Sequence, residues 1–110
     1  MLHELKLQPE FFHAIALGTK KIECRLFDEK RQRISLGDTV VFRCEPELTE
    51  TVTTEVVGLL RYKTFSDLFS DFTPDVLGVS DKAALEKLIY TFYSKEDEAR
   101  YGVVGIRVAK

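Results

Sequence analysis

The densest concentration of polar chemistry in this chain is the pattern G-x-K-x-x-E-x-R over residues 18–25. Lys20 could hold a phosphate, or act as a base or nucleophile if burial lowered its pKa. The Glu23 carboxylate could accept from the exocyclic amine of a nucleobase, and the Arg25 guanidinium could clamp an anion. The structural alternative is a lysine that stabilises a helix end and an exposed Glu23–Arg25 pair worth about 0–1 kcal/mol.

Further candidate contacts lie outside this octapeptide. Arg31 and Arg33 fall in a charged loop and could reach a nucleic-acid backbone. Tyr93 and Tyr101 flank an acidic segment at 95–100, which we predict to be a loop, and could serve as stacking platforms for bases. These side chains extend the candidate binding set beyond the octapeptide, while a solvated surface remains the structural alternative.

Charge is distributed unevenly along the chain. The net charge of −2 argues against a bulk polyanion binder. Residues 20–33, however, hold six basic and three acidic side chains, a local balance of +3. An anion should therefore be attracted to one side of the molecule only.

Several other kinds of site are not expected. His3 and His13 have no cysteine or carboxylate at ligand spacing, so the sequence predicts no metal site. No glycine-rich phosphate loop or dinucleotide fingerprint is present, and we expect no cofactor. Cys24 and Cys44 lie among apolar neighbours on predicted strands, a pattern typical of reduced core cysteines.

The surrounding elements place the octapeptide at a junction between a helix and a strand. The helix is predicted to begin at Pro9, which suits a first helical position, and to end before Gly18, which tolerates the left-handed conformation of a helix stop. A strand over 21–27 follows. Its alternation puts Glu23 and Arg25 side by side on the polar face.

The rest of the chain predicts an α+β fold, a small mixed β-barrel of about five strands with two or three flanking helices. One domain should span residues 1–110, since the chain is too short for two. It has neither an apolar run long enough to cross a membrane nor a leader of signal-peptide type, so we expect a cytoplasmic protein. The other strands are predicted at 3–7, 39–44, 51–62 and 103–108, with a bulge or close approach at Gly58, and helices after caps at Thr64 and Ser80.

Three landmarks in order resemble the ASCH domain, a branch of the PUA-like superfamily. They are the octapeptide, Leu36-Gly37-Asp38 before a strand, and the closing run at 101–106. The resemblance implies a small barrel, a cleft lined by residues 18–25, and RNA or nucleotide-like ligands. Some small bacterial relatives are amidohydrolases that deacetylate N4-acetylcytidine. This chain keeps their lysine at Lys20, has Glu23 where they have a threonine nucleophile, and shows no counterpart of their further acidic residue near Gly78.

We therefore expect a module that binds RNA or a modified nucleoside through Gly18, Lys20, Glu23 and Arg25. The alternative is a small hydrolase of a nucleoside amide or of RNA, in which Lys20 activates the nucleophile and Glu23 moves a proton. A third hypothesis is a protein-interaction domain that uses the acidic segment 95–98. The oligomeric state is left open.

Overall fold

A single five-stranded mixed sheet forms the frame of the molecule in the computed structural model, which describes residues 1–110. The strand order is β1-β3-β4-β5-β2; β1 and β3 pair in parallel, and the other neighbours are antiparallel. The strands are β1 (Leu2–Leu7), β2 (Ile22–Leu26), β3 (Thr39–Cys44), β4 (Thr51–Tyr62) and β5 (Val103–Ala109). The α+β class predicted from the sequence is confirmed, as a half-barrel with β1 and β2 as its two edges.

Four α-helices connect or cover these strands: α1 (Pro9–Leu17), α2 (Phe65–Ser70), α3 (Lys82–Phe92) and α4 (Lys95–Tyr101). Helix α1 begins at Pro9 and ends at Gly18, whose φ of 88° is left-handed, as predicted. Thr64 caps α2 by accepting from the Asp67 N–H. For α3 the cap is Asp81 and not the predicted Ser80, because the Asp81 carboxylate accepts from the Ala83 N–H.

The prediction of a loop for the acidic segment at 95–100 is wrong, because these residues form helix α4. The Ser94 hydroxyl caps this helix by accepting from the Asp97 N–H. Acidic side chains in a first turn also interact favourably with the helix dipole, so the negative run favours this helix start. Glu98 of α4 is buried and accepts from the Phe65 N–H and the Tyr90 hydroxyl.

The sheet curls around one apolar core, in which Phe42 and Phe65 are fully buried. The bulge predicted at Gly58 is present, since the β4–β5 register shifts between Val56 and Gly58. A Cβ at Gly58 would lie 3.0 Å from the Arg107 Cβ, so the two backbones approach closely there. None of the helices has the length and apolar character that crossing a membrane requires.

Candidate ligand-binding site

One cavity lies in the seam of the half-barrel, between the facing edges β1 and β2. Its volume is about 280 Å³. The end of β1 supplies Lys6 and Leu7, β2 supplies residues 23–25, and α3 closes the remaining side. Arg25 bridges the seam directly, because its Nη2 donates to the Lys6 carbonyl oxygen across 2.7 Å. The curled sheet thus brings two edges of the sheet to one pocket.

A buried ion triad forms the polar floor of this seam pocket. Lys20 and Glu23 are only 4% and 6% exposed. The Lys20 Nζ lies 3.3 Å from Glu23 Oε1, and the Arg25 Nε lies 2.5 Å from Oε2. Each carboxylate oxygen therefore has one cationic partner and keeps further acceptor capacity. The exposed ion pair offered as the structural alternative is not what forms, since Glu23 is buried and the Arg25 side chain is only 13% exposed.

Lys20 is held by protein groups on every side. Its ammonium donates to the carbonyl oxygens of Ile22 at 2.7 Å and Leu77 at 3.0 Å, in addition to its contact with Glu23. An ammonium has three N–H groups, so these partners use all of them. Gly78 packs on the aliphatic stem, where an added Cβ would lie 2.7 Å from Lys20 Cδ. Lys20 therefore positions Glu23, and the nucleophilic or basic role of the hydrolase hypothesis would require it to leave these partners.

Electrostatics keep the other two members of the triad charged. Burial alone would raise the pKa of Glu23, but Arg25 and Lys20 outweigh it and the pKa is lowered. Burial would lower the pKa of Arg25, yet Glu23 and then the Tyr93 hydroxyl raise it. Glu23 is consequently a fixed acceptor and Arg25 a fixed donor, side by side on β2. Two of the five guanidinium N–H groups are used, by Glu23 and by the Lys6 carbonyl.

Helix α3 supplies an apolar wall opposite the triad. The amphipathic stripe of this helix was evident from the sequence, but its place beside the octapeptide was not, since only the tertiary fold joins them. Phe92 projects into solvent with 58% of its surface exposed, and the neighbouring Tyr93 ring stacks on Phe65 at 5.6 Å. The apolar side chains that line the pocket include Phe11, Leu85, Leu88, Ile89 and Phe92.

Cys24 also lines the seam pocket, but its thiol has low reactivity. The thiol is buried, and burial raises its pKa to about 12, ahead of smaller effects from the triad. A thiolate is the reactive form of cysteine, so Cys24 is inert near neutral pH.

Gly18 is not brought to the seam pocket. It lies at a second cavity of about 420 Å³, whose lining includes Lys21, Arg107 and Lys110. Lys20 is the one residue that lines both of these cavities. Gly18 therefore shapes the helix-to-strand junction and makes no part of the triad pocket.

The loop arginines and one of the two tyrosines also lie elsewhere. Both arginines lie on the 3₁₀ turn Arg31–Arg33, where Arg31 is paired with Asp28 at 2.8 Å and Arg33 is exposed. The Tyr101 hydroxyl donates to Glu29 Oε1 across 3.1 Å. None of these three candidates lines the seam pocket, whereas Tyr93 does. Of the predicted contacts, the structure thus gathers Lys20, Glu23, Arg25 and Tyr93.

A family model and two solved structures match almost the whole length of this chain. The family model of the ASCH domain matches residues 5–110. The crystal structure of the hypothetical protein PH0355 is 34% identical, with a TM-score of 0.84 over 98% of this chain and 97% of that chain. The solution structure of PF0455 from Pyrococcus furiosus is 33% identical, with a TM-score of 0.71 over 98% and 96%.

A more distant structure shares the fold alone. A mutant ZmASCH protein from Zymomonas mobilis is 16% identical, with a TM-score of 0.58 over 97% of this chain and 66% of that chain. The comparison with curated proteins finds no match.

Proposed function

The chain belongs to the ASCH domain family, a PUA-like family associated with RNA binding, and from this premise we propose that its seam pocket binds one nucleoside unit, free or within RNA. The observation that carries the proposal is the buried Lys20–Glu23–Arg25 triad at the floor of a cavity with an apolar wall. Recognition of a nucleobase needs polar contacts with the edge of the base and apolar contact with the face of its ring.

The polar floor matches the chemistry of a base edge. Glu23 is charged and can only accept, so it selects an N–H donor such as an exocyclic amine. Arg25 can only donate, so it selects a ring carbonyl or a phosphate oxygen beside that donor. Because Lys20 and Arg25 hold the carboxylate in place, little ordering free energy is lost when a base binds.

The size of the pocket limits how much of a nucleic acid enters it. Ligand pockets commonly have volumes of about 300–1,000 Å³, and this one, at about 280 Å³, stands at the small end. One base with its sugar is therefore the expected occupant. Stacking on Phe92, the exposed ring of the wall, would add roughly 1–3 kcal/mol.

An amide NMR titration of labelled protein tests the proposal. The ligands are the four ribonucleosides, N4-acetylcytidine and a short single-stranded RNA. We expect saturable shifts at residues 6–8, 23–25 and 88–93. Absence of shifts with every ligand, or shifts confined to the second cavity at 107–110, would refute binding in the seam pocket. Loss of the acetyl signal from N4-acetylcytidine would instead establish the hydrolase alternative.

Two variants separate the pocket from the rest of the surface. Phe92→Ala removes an exposed wall residue without opening the core, and it should weaken binding about 10-fold or more. Leu17→Ala is the matched control, since Leu17 is 80% exposed and does not line the seam pocket. Equal affinities for the two variants would remove the apolar wall from the binding site.

A further inference from the structure

A cluster outside the seam pocket gathers three different metal-binding side chains. The ligand atoms of His13, Cys44 and Glu50 all lie within 4.8 Å of one another. They come from helix α1, the end of β3 and the residue before β4. We propose that these residues form a mononuclear Zn²⁺ site, a property beyond the proposed nucleoside binding.

The fold holds the backbones of this cluster firmly. Leu7 of β1 pairs with Cys44 of β3, which places Cys44 beside the start of α1. The Cys44 N–H donates to the Glu50 carbonyl oxygen at 3.0 Å, and this bond closes the loop between them. The three elements therefore meet at fixed positions, and only side-chain rotation is needed to complete a site.

The side chains can make that rotation. Ligand atoms around a tetrahedral zinc ion lie about 3.5 Å apart, since the bonds are about 2.0–2.3 Å long. A contraction of about 1 Å is therefore required. Cys44 is buried and supplies the anchored ligand, whereas His13 and Glu50 are exposed and free to close on the ion.

Charge and donor type favour zinc in particular. A thiolate and a carboxylate together balance one divalent cation, with a neutral imidazole as third ligand and a water as fourth. Mg²⁺ and Ca²⁺ prefer oxygen donors throughout, so this mixed set excludes them. Glu45 and Glu47 add negative charge nearby, and none of the six ion pairs in the protein uses them, His13 or Glu50.

Binding has a defined proton balance. In the metal-free protein the Cys44 Sγ donates to the Glu45 carbonyl oxygen at 3.5 Å. When the Zn–S bond forms, this thiol proton is released to solvent, so one proton leaves for each ion bound.

The test is calorimetric titration of tag-free, reduced protein with Zn²⁺, together with Co²⁺ absorption spectroscopy. We expect one ion per chain, release of a proton, and a Co²⁺–thiolate charge-transfer band. Cys44→Ser should abolish the band. His13→Ala and Glu50→Gln, which change exposed residues and should leave the fold intact, should each weaken zinc binding about 100-fold or more.

The chain provides its own matched controls, because it contains only two histidines and two cysteines. His3→Ala and Cys24→Ala should bind zinc as the wild type does. Absence of stoichiometric binding, survival of the cobalt band in Cys44→Ser, or equal losses in the His3 and Cys24 variants would each overturn the proposal.

Discussion

At the scale of single residues, Glu23 carries the negative charge of the ion triad in the seam pocket. A carboxylate removed from water is costly unless cations and hydrogen bonds compensate it. Lys20 and Arg25 provide this compensation, one to each oxygen. The same two contacts that compensate the charge also fix the orientation of the carboxylate toward the pocket, so the stability of the triad and the proposed recognition of a base depend on one side chain.

Glu23→Gln should lower the free energy of unfolding by about 3 kcal/mol, because it leaves the buried Lys20 and the half-buried Arg25 without their counter-charge. Urea denaturation at neutral pH measures this change. Glu55→Gln on the exposed face of β4 is the control and should change stability by less than about 0.5 kcal/mol. Similar small effects of both substitutions would mean that the triad contributes no stability.

The contribution of Glu23 to stability should also be visible in the pH dependence of the unfolding free energy. Its folded-state pKa lies below its ordinary value of 4.5, so its stabilising contribution is present above pH 4.5 and is lost as the pH falls through the folded pKa. Unfolding free energies of the wild type should therefore drop on acidification, and Glu23→Gln should lack part of this drop. An identical slope in both proteins would contradict the lowered pKa.

Asp38 serves as an internal reference for that experiment. A hydrogen bond from His3, followed by one from the Ser35 N–H, lowers the pKa of Asp38 to about 2. Its stabilising contribution is present above pH 3.8 and should be lost as the pH falls through about 2, so Asp38→Asn should lack this part of the drop in unfolding free energy.

At the scale of secondary-structure elements, the segment that ends in Gly78 acts as a cover for Lys20. The Leu77 carbonyl accepts from the ammonium, and Gly78 lies against the stem with a φ of 83°. The sequence offered Gly78 only as a position where an acidic residue of some relatives is absent. Its contact with Lys20 joins residues far apart in the chain, and no local pattern encodes it.

Gly78→Ala should destabilise the protein more than Gly37→Ala. Both glycines have left-handed φ values, so both substitutions carry the backbone cost of about 1–3 kcal/mol. Only at Gly78 does the new Cβ also collide with Lys20, since nothing lies within 4 Å of a Cβ at Gly37. The difference between their melting temperatures measures the collision, and equal temperatures would rule it out.

Helix α4 was missed in the sequence-based prediction because its charged run was given more weight than its helix-capping residue. Its run of charges is typical of a loop, yet Ser94 and Asp97 have the spacing of a helix cap. Most strands and helix α1 were predicted correctly because alternation, Pro9 and Gly18 act locally.

Ser94→Ala should cost about 1 kcal/mol of stability, because the Asp97 N–H loses its acceptor. Thermal unfolding followed by circular dichroism measures the change. Ser66→Ala, on the exposed side of α2, is the control and should have little effect. Equal melting temperatures for the two variants would mean that the cap does not stabilise α4.

At the scale of the whole molecule, the candidate site is a product of topology. The octapeptide identified the triad, but the wall on α3 and the bridge to Lys6 arise because the sheet curls until its edges face each other. The same limit applies to the zinc site that we propose at His13, Cys44 and Glu50. The sequence predicts no metal site, because only the parallel β1–β3 pairing brings Cys44 close to helix α1.

RNA binding should have a shallow dependence on salt. A pocket that admits one nucleotide neutralises about one phosphate, which gives a slope of about −0.7 in a plot of log affinity against log salt concentration. The basic side chains Arg31 and Arg33 do not line this pocket, so they are not expected to increase the slope. Fluorescence titrations of a labelled RNA at several salt concentrations measure the slope, with a free nucleoside as the flat control. A slope several times steeper would indicate an extended backbone contact.

Because β1 and β2 face each other across the seam, the two edges of the sheet should also resist aggregation. Unpaired strand edges are templates on which other chains add strands and aggregate. Here the two edges of the sheet turn toward each other, and the Arg25 guanidinium occupies the Lys6 carbonyl that an incoming strand would use. The seam in which we propose that a ligand binds therefore also turns both edges of the sheet away from neighbouring molecules.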